Sequence, residues 1–144
     1  VADIRAARRA GADVVIPFMH WGWAREPHTT VRQQQLARRM IDAGADAVVG
    51  GHPHVTQGAD TYKGRPIIWS LGNFVFDGFD LPPARIGWVL RMTVDRRGVR
   101  AWDTVEAQMD DAGTPAPRWD RYTPCGWRGE TTVMRCQAPP PPER

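Results

Sequence analysis

Lysine is almost missing from this sequence. Lys63 is the only one among 19 basic residues; the rest are arginine, and the formal net charge is +3. The clusters Arg8-Arg9, Arg38-Arg39 and Arg96-Arg97 fall in three different predicted elements. No basic stripe interleaved with aromatics exists, so nucleic acid is not an expected partner. Cysteine is scarce too. Cys125 and Cys136 are the only two, and no histidine follows His54, which excludes a cysteine-based four-ligand zinc site. The pair is either a disulfide across a short loop or two thiols; a disulfide implies an oxidising compartment. Long apolar runs are absent. The longest uncharged stretches, 47–59 and 66–76, fall short of the ~20 residues of a membrane helix. Large apolar side chains are few and uneven: Val, Leu, Ile and Phe total 27, and only Val133 lies beyond Glu106. There is no repeat, heptad or collagen period. The chain starts with Val and shows no signal peptide, so its 144 residues read as a processed or excised piece.

What is present has an order. Asp3 to Ala10 reads as a helix stopped by Gly11. Asp13 to Met19 carries Val14, Val15, Ile16 and Phe18, a near-continuous apolar run expected of a strand buried on both faces. A loop rich in Trp, Gly and Pro follows. Thr29 or Thr30 caps a helix to Ala43, with Val31, Leu36, Met40 and Ile41 as its inner face. Asp46 to Gly50 is a second short strand. Strand, helix, strand is a βαβ crossover and favours a parallel pair. Beyond it the pattern turns antiparallel. Thr56–Tyr62 and Pro66–Ser70 flank a Lys63-Gly64 turn, and 87–95 and 99–106 flank Arg96-Arg97-Gly98. The fold class is α/β. Residues 1–107 form the folded part, and 108–144, rich in Pro, Gly and Asp, read as a flexible or polyproline-type tail.

Three of the four histidines fall at predicted strand ends. His20 ends the first strand, and His52 and His54 follow the second. Ligands of open α/β sheets bind beyond the carboxyl ends of strands. Neighbouring strands would bring the three imidazoles to one crevice, and neutral imidazole is the commonest metal ligand. In an extended His52-Pro53-His54, residues i and i+2 point the same way, and Pro53 disfavours a helical His52. Gly50 and Gly51 would let the backbone pass close to a bulky ligand.

Several blocks then recur in a specific order: Asp13-Val14-Val15-Ile16 with His20-Trp21-Gly22, Gln34 to Ala37, Ile41 to Asp46, Gly51-His52-Pro53-His54-Val55-Thr56-Gln57, Tyr62-Lys63-Gly64, and Ser70 to Asp77. Over residues 3–105 this order resembles the CapA-type capsule and poly-γ-glutamate biosynthesis proteins, relatives of the calcineurin-like metallophosphoesterases. The resemblance implies the C-terminal half of an α/β/β/α sandwich with a dinuclear metal centre at the strand ends. It implies His20, His52 and His54 as metal ligands, with His52 and His54 also catalytic, and a divalent ion such as Mn, Fe or Zn. Trp21 and Gly22 of the same block are read as substrate contacts: Trp21 and Trp23, exposed near the site, and the arginine excess would suit an acidic or saccharide chain, or the tryptophans pack in the core. Ser70 and Asn73 would line that pocket, or Gly72-Asn73 merely turns the chain. Asp60 stands where the family commonly has Glu; it would contact a histidine or substrate, or lie in the hairpin.

The departures carry weight. The Glu usual after the His-Trp-Gly block is displaced, with Trp23 and Ala24 in its place. The Gly-Asp and Asn-His blocks that supply the family's Asp and Asn ligands are not in this sequence. The expectation is therefore a fragment of a metal-dependent hydrolase acting in capsule or cell-envelope polymer synthesis. The alternatives are a polymer-binding or assembly component, or an inactive piece. The implied partners are an anionic polymer or a phosphorylated or acyl substrate, the other half of the same domain, and a second copy in a dimer. The implied location is extracytoplasmic.

Overall fold

The computed structural model describes residues 1–78 and 81–127, with backbone only for 120–127. Its elements are α1 (Ala2–Arg9), β1 (Phe18–His20), α2 (Val31–Asp42), β2 (Val48–Gly51), β3 (Ala59–Tyr62), β4 (Arg65–Ile68), β5 (Ile86–Asp95), β6 (Gly98–Met109) and β7 (Pro115–Trp127). One sheet has the order β1-β2-β4-β3; the other is β5-β6-β7. β1 and β2 run parallel, as the crossover predicts, and so do β2 and β4. β3–β4, β5–β6 and β6–β7 are antiparallel.

Alternation along the central strands makes the layers. Val48 and Ile67 point to one face of the first sheet and pack with Ile4, Ala37, Met40 and Ile41 of the helices. Their neighbours Val49 and Ile68 point to the other face and meet Val99 and Trp102 of the second sheet. A period-two pattern buried on both faces is what a covered parallel pair requires. Among the described residues the architecture is helix, sheet, sheet, an α/β fold; the outer helical layer of the expected four-layer sandwich is not among them.

Two expectations about strands are corrected. The first strand is short and lies at an edge, and it is not buried on both faces. Val15 and Pro17 still offer carbonyls to Asp46 and Val49 (2.8 and 3.0 Å), but Pro17 has no N–H to return and the ladder starts only at Phe18. With one neighbour only, β1 leaves Phe18 68% exposed. The chain also does not leave the fold at residue 108. β6 runs to Met109, and β7 pairs back onto it from Pro115. Asp110 turns the chain by accepting the N–H groups of Ala112 and Thr114. A strand tolerates Pro115 and Pro117 at a sheet edge, where no return bond is needed. Cys136 lies outside the described residues, and with it the choice between a disulfide and two thiols.

Charge ties the layers together. Asp46, 4% exposed, accepts from Arg8 of α1, from Arg65 of β4 (2.6 Å) and from the Val15 N–H (2.9 Å). The segment that follows β4 meets β5 backbone to backbone at an isolated bridge between Gly72 and Gly87. A β-carbon on Gly87 would lie 1.6 Å from the Asn73 carbonyl oxygen, and one on Gly72 would lie 2.6 Å from that of Ile86. Neither position has room for a side chain.

Candidate functional site

The parallel register of β1 and β2 sets His20 beside Gly51, one residue before His52. The rings of His20 and His52 stand 4.3 Å apart between centroids, and those of His52 and His54 6.0 Å. Phe76 lies against His54 at 5.5 Å. The three histidines are thus neighbours at the carboxyl ends of adjacent strands, as expected. The backbone that presents them is not extended. His52 has φ +98° and His54 φ +60°, left-handed values that L side chains rarely adopt. Pro53 does bar His52 from the right-handed helical region, but the chain takes the left-handed side of the map. Two contacts hold this turn: the Pro53 carbonyl accepts Arg25 N–H (2.6 Å), and the His54 carbonyl accepts Asn73 Nδ2 (3.3 Å). Strained backbone of this kind costs roughly 1–3 kcal/mol per residue and gathers at functional sites.

Asn73 sets the chemistry of His54. Its Nδ2 donates to two backbone carbonyls, those of His54 and Ala84 (2.8 Å), so its Oδ1 must be the atom facing His54 Nδ1 at 2.8 Å. An amide oxygen only accepts, so Nδ1 carries the hydrogen. In the neutral ring the lone pair then sits on Nε2. A metal-ligating histidine commonly has this arrangement, with its other nitrogen held by an oxygen. Asn73 is buried and positions the His54 ring.

The other expected site residues divide. Trp21 is 8% exposed; its Nε1–H donates to the Trp69 carbonyl (2.8 Å), and the two indoles lie 5.9 Å apart. It is a packing residue whose only polar group is already used. Gly50 has no side chain because that indole needs the space: a β-carbon there would lie 2.3 Å from Trp21 Nε1 and 2.1 Å from the Trp69 oxygen. The room is for protein, not for ligand. Ser70 is fully buried, with its Oγ on the Gly72 N–H (3.3 Å). Asp60 is exposed on β3, the far edge strand, and accepts from its own neighbour Thr61 N–H (2.7 Å). Gly22 lines a cavity of about 420 Å³ shared with His20 and Trp23.

Two glutamines escaped the sequence reading. Gln33, 2% exposed, closes a capping box with Thr30 and passes its Nε2–H to Gln57 Oε1 (2.9 Å). Gln57 Nε2 in turn donates to the carbonyls of Glu26 (2.8 Å) and His28 (3.1 Å). This amide chain fastens the Trp-rich loop beside the histidines. The Thr30-x-x-Gln33 spacing was the readable signal.

Among the described residues, no group of three or more His, Cys, Asp or Glu side chains stands in metal-holding geometry. The donor set is nonetheless of a recognisable kind. Imidazoles suit Zn or Fe, whereas Mn prefers oxygen ligands, and no carboxylate joins these three rings.

The sequence is similar to that of known proteins. The sequence model described as bacterial capsule synthesis protein PGA_cap matches residues 1–78. The chain belongs to this family. PGA_cap relatives include the capsule biosynthesis protein CapA of Bacillus anthracis, 46% identical over 77 residues, which are 54% of this chain and 19% of that protein. The PGA biosynthesis protein CapA of Bacillus subtilis is 40% identical over 106 residues, 74% of this chain and 27% of its own length. A probable polyglutamine synthesis accessory protein of Mycobacterium tuberculosis is 37% identical over 76 residues, 53% and 20% of the two chains. The matched part thus spans about a quarter or less of each of these relatives. No described helix is long and apolar enough to cross a membrane.

Proposed function

We propose that this chain supplies the histidine side of a metal-dependent, phosphoesterase-like hydrolase site in a protein of capsule or poly-γ-glutamate synthesis. The observation that carries the reading is the triplet His20, His52 and His54 at two adjacent strand ends, with Asn73 holding the third ring in one tautomer. A divalent ion bound there would polarise a phosphoryl or acyl oxygen and lower the pKa of a bound water. His20, His52 and His54 would contribute nitrogens to it only in combination with ligands from other residues, since the three do not stand in metal-holding geometry by themselves. An imidazole that does not ligate would steady charge on the leaving group. Three neutral ligands leave the ion's charge unbalanced, so Asp or Asn ligands from other residues of the intact protein would complete the centre. An extracytoplasmic location belongs to the same proposal.

The test is metal analysis of the intact protein beside its variants. His20→Ala, His52→Ala and His54→Ala each lower metal content, and Asn73→Leu lowers affinity about tenfold or more through the ring it orients. Unchanged occupancy in His52→Ala would falsify the metal reading.

A second reading rests on Trp23, 72% exposed beside the histidines. An exposed indole suits holding a polymer, and the printed name of the mycobacterial relative speaks of an accessory role. Polymer binding without turnover of a phosphodiester in the presence of Mn²⁺ would favour that reading over hydrolysis.

A further inference from the structure

The cavity of about 420 Å³ between β1 and the start of α2 has a divided lining. Met19, Leu36 and Trp23 give it an apolar wall, and Arg32 gives it a cation. His20 stands at the same cavity and links it to the imidazole cluster. Arg32 is exposed and forms no ion pair or hydrogen bond with any described side chain; Arg5, Arg9 and Arg39 share that, but of these arginines Arg32 alone lines the cavity. The first turn of α2 holds no acidic residue to neutralise it. An unpaired guanidinium beside a wall of apolar side chains fits a ligand with an aliphatic stem and an anionic end. Guanidinium takes a carboxylate through two parallel N–H bonds. The exposed Trp23 face would cover the stem at little entropic cost, since indole has only two rotatable bonds.

We infer that this cavity is a subsite for one carboxylate-bearing residue of an acidic chain ligand, with Arg32 as its counter-ion. The next residue of that chain would then lie toward His20. The inference rests on the polymer part of the function proposed above, not on metal or turnover.

The experiment titrates the intact protein by calorimetry, in chelator, so that its outcome does not depend on a metal. The probes are a short γ-linked glutamate oligomer, its fully amidated counterpart and inorganic phosphate. Arg32→Ala is expected to weaken binding of the acidic oligomer about tenfold or more, and Arg32→Lys to restore part of it. Arg38→Ala removes an equal charge from the same helix but sits over Tyr62, and is expected to leave binding unchanged. Equal affinity for the amidated oligomer, equal loss in Arg38→Ala, or displacement by phosphate at matched concentration would each overturn the assignment.

Discussion

Single atoms decide much of this site. Gly50→Ala would drive a methyl group into the Trp21–Trp69 contact, at distances no side chain tolerates. Overpacking against backbone leaves no flexible partner to give way. The expected loss is about 3 kcal/mol or more, read as a fall in the urea midpoint. Gly51→Ala is the control: its nearest neighbours lie at 3.6 Å, and stability should hardly change. The left-handed histidines make a second prediction. His52→Gly removes the imidazole but also the backbone strain, whereas His52→Ala removes only the imidazole. The glycine variant is expected to be the more stable of the two by about 1 kcal/mol in thermal unfolding. The three histidines were legible as a cluster because histidine is a rare residue type and here falls at strand ends. Asn73's role was not, since its partners, His54 and Ala84, are brought to it by turns that leave no periodic trace.

Elements were read well where periodicity is strong. The β5–β6 hairpin and the α2 boundaries follow alternation and capping that any such stretch displays. The inner face of α2 was misjudged at its start: Val31 is 68% exposed, and Gln33 is buried instead. Hydrophobicity cannot announce a buried amide whose bonds are all satisfied by distant residues. Thr30→Ala removes the acceptor for Gln33 N–H and is expected to cost about 1 kcal/mol. Gln33→Leu keeps the volume but cuts the link to Gln57. Faster amide exchange in residues 22–30, without a large change in global stability, is its expected signature. At the β3–β4 turn, the hydrogen bond and charge of Asp42 hold Lys63 above its ordinary 10.5. A raised native value means that whatever the pair adds is present at neutral pH and lost as pH climbs past 10.5. Lys63 is fully exposed, so Lys63→Met should differ little from the native chain at pH 7 and converge with it above that range.

At the scale of the whole molecule, the sequence suggested a βαβ unit followed by hairpins but not how they would close on each other. That closure depends on Asp46, which read only as the start of a strand. One carboxylate joins α1, β4 and the segment before β1, and it lies against Gly98 of the second sheet. Asp46→Ala is expected to cost about 2–3 kcal/mol in chemical unfolding, because Arg8 and Arg65 keep some contact with water. The bridge between Gly72 and Gly87 has a different kind of consequence. Gly72 lies one residue from Asn73, and Gly87 touches the Asn73 carbonyl, so a methyl group at either point pushes on the residue that orients His54. Once one substitution has wedged the two segments apart, the second meets less resistance. The two changes should therefore be strongly epistatic, the double variant losing less than the sum of the singles. Two glycines that perform no chemistry thus act as a spacer whose thickness fixes where the Asn73 amide stands relative to His54.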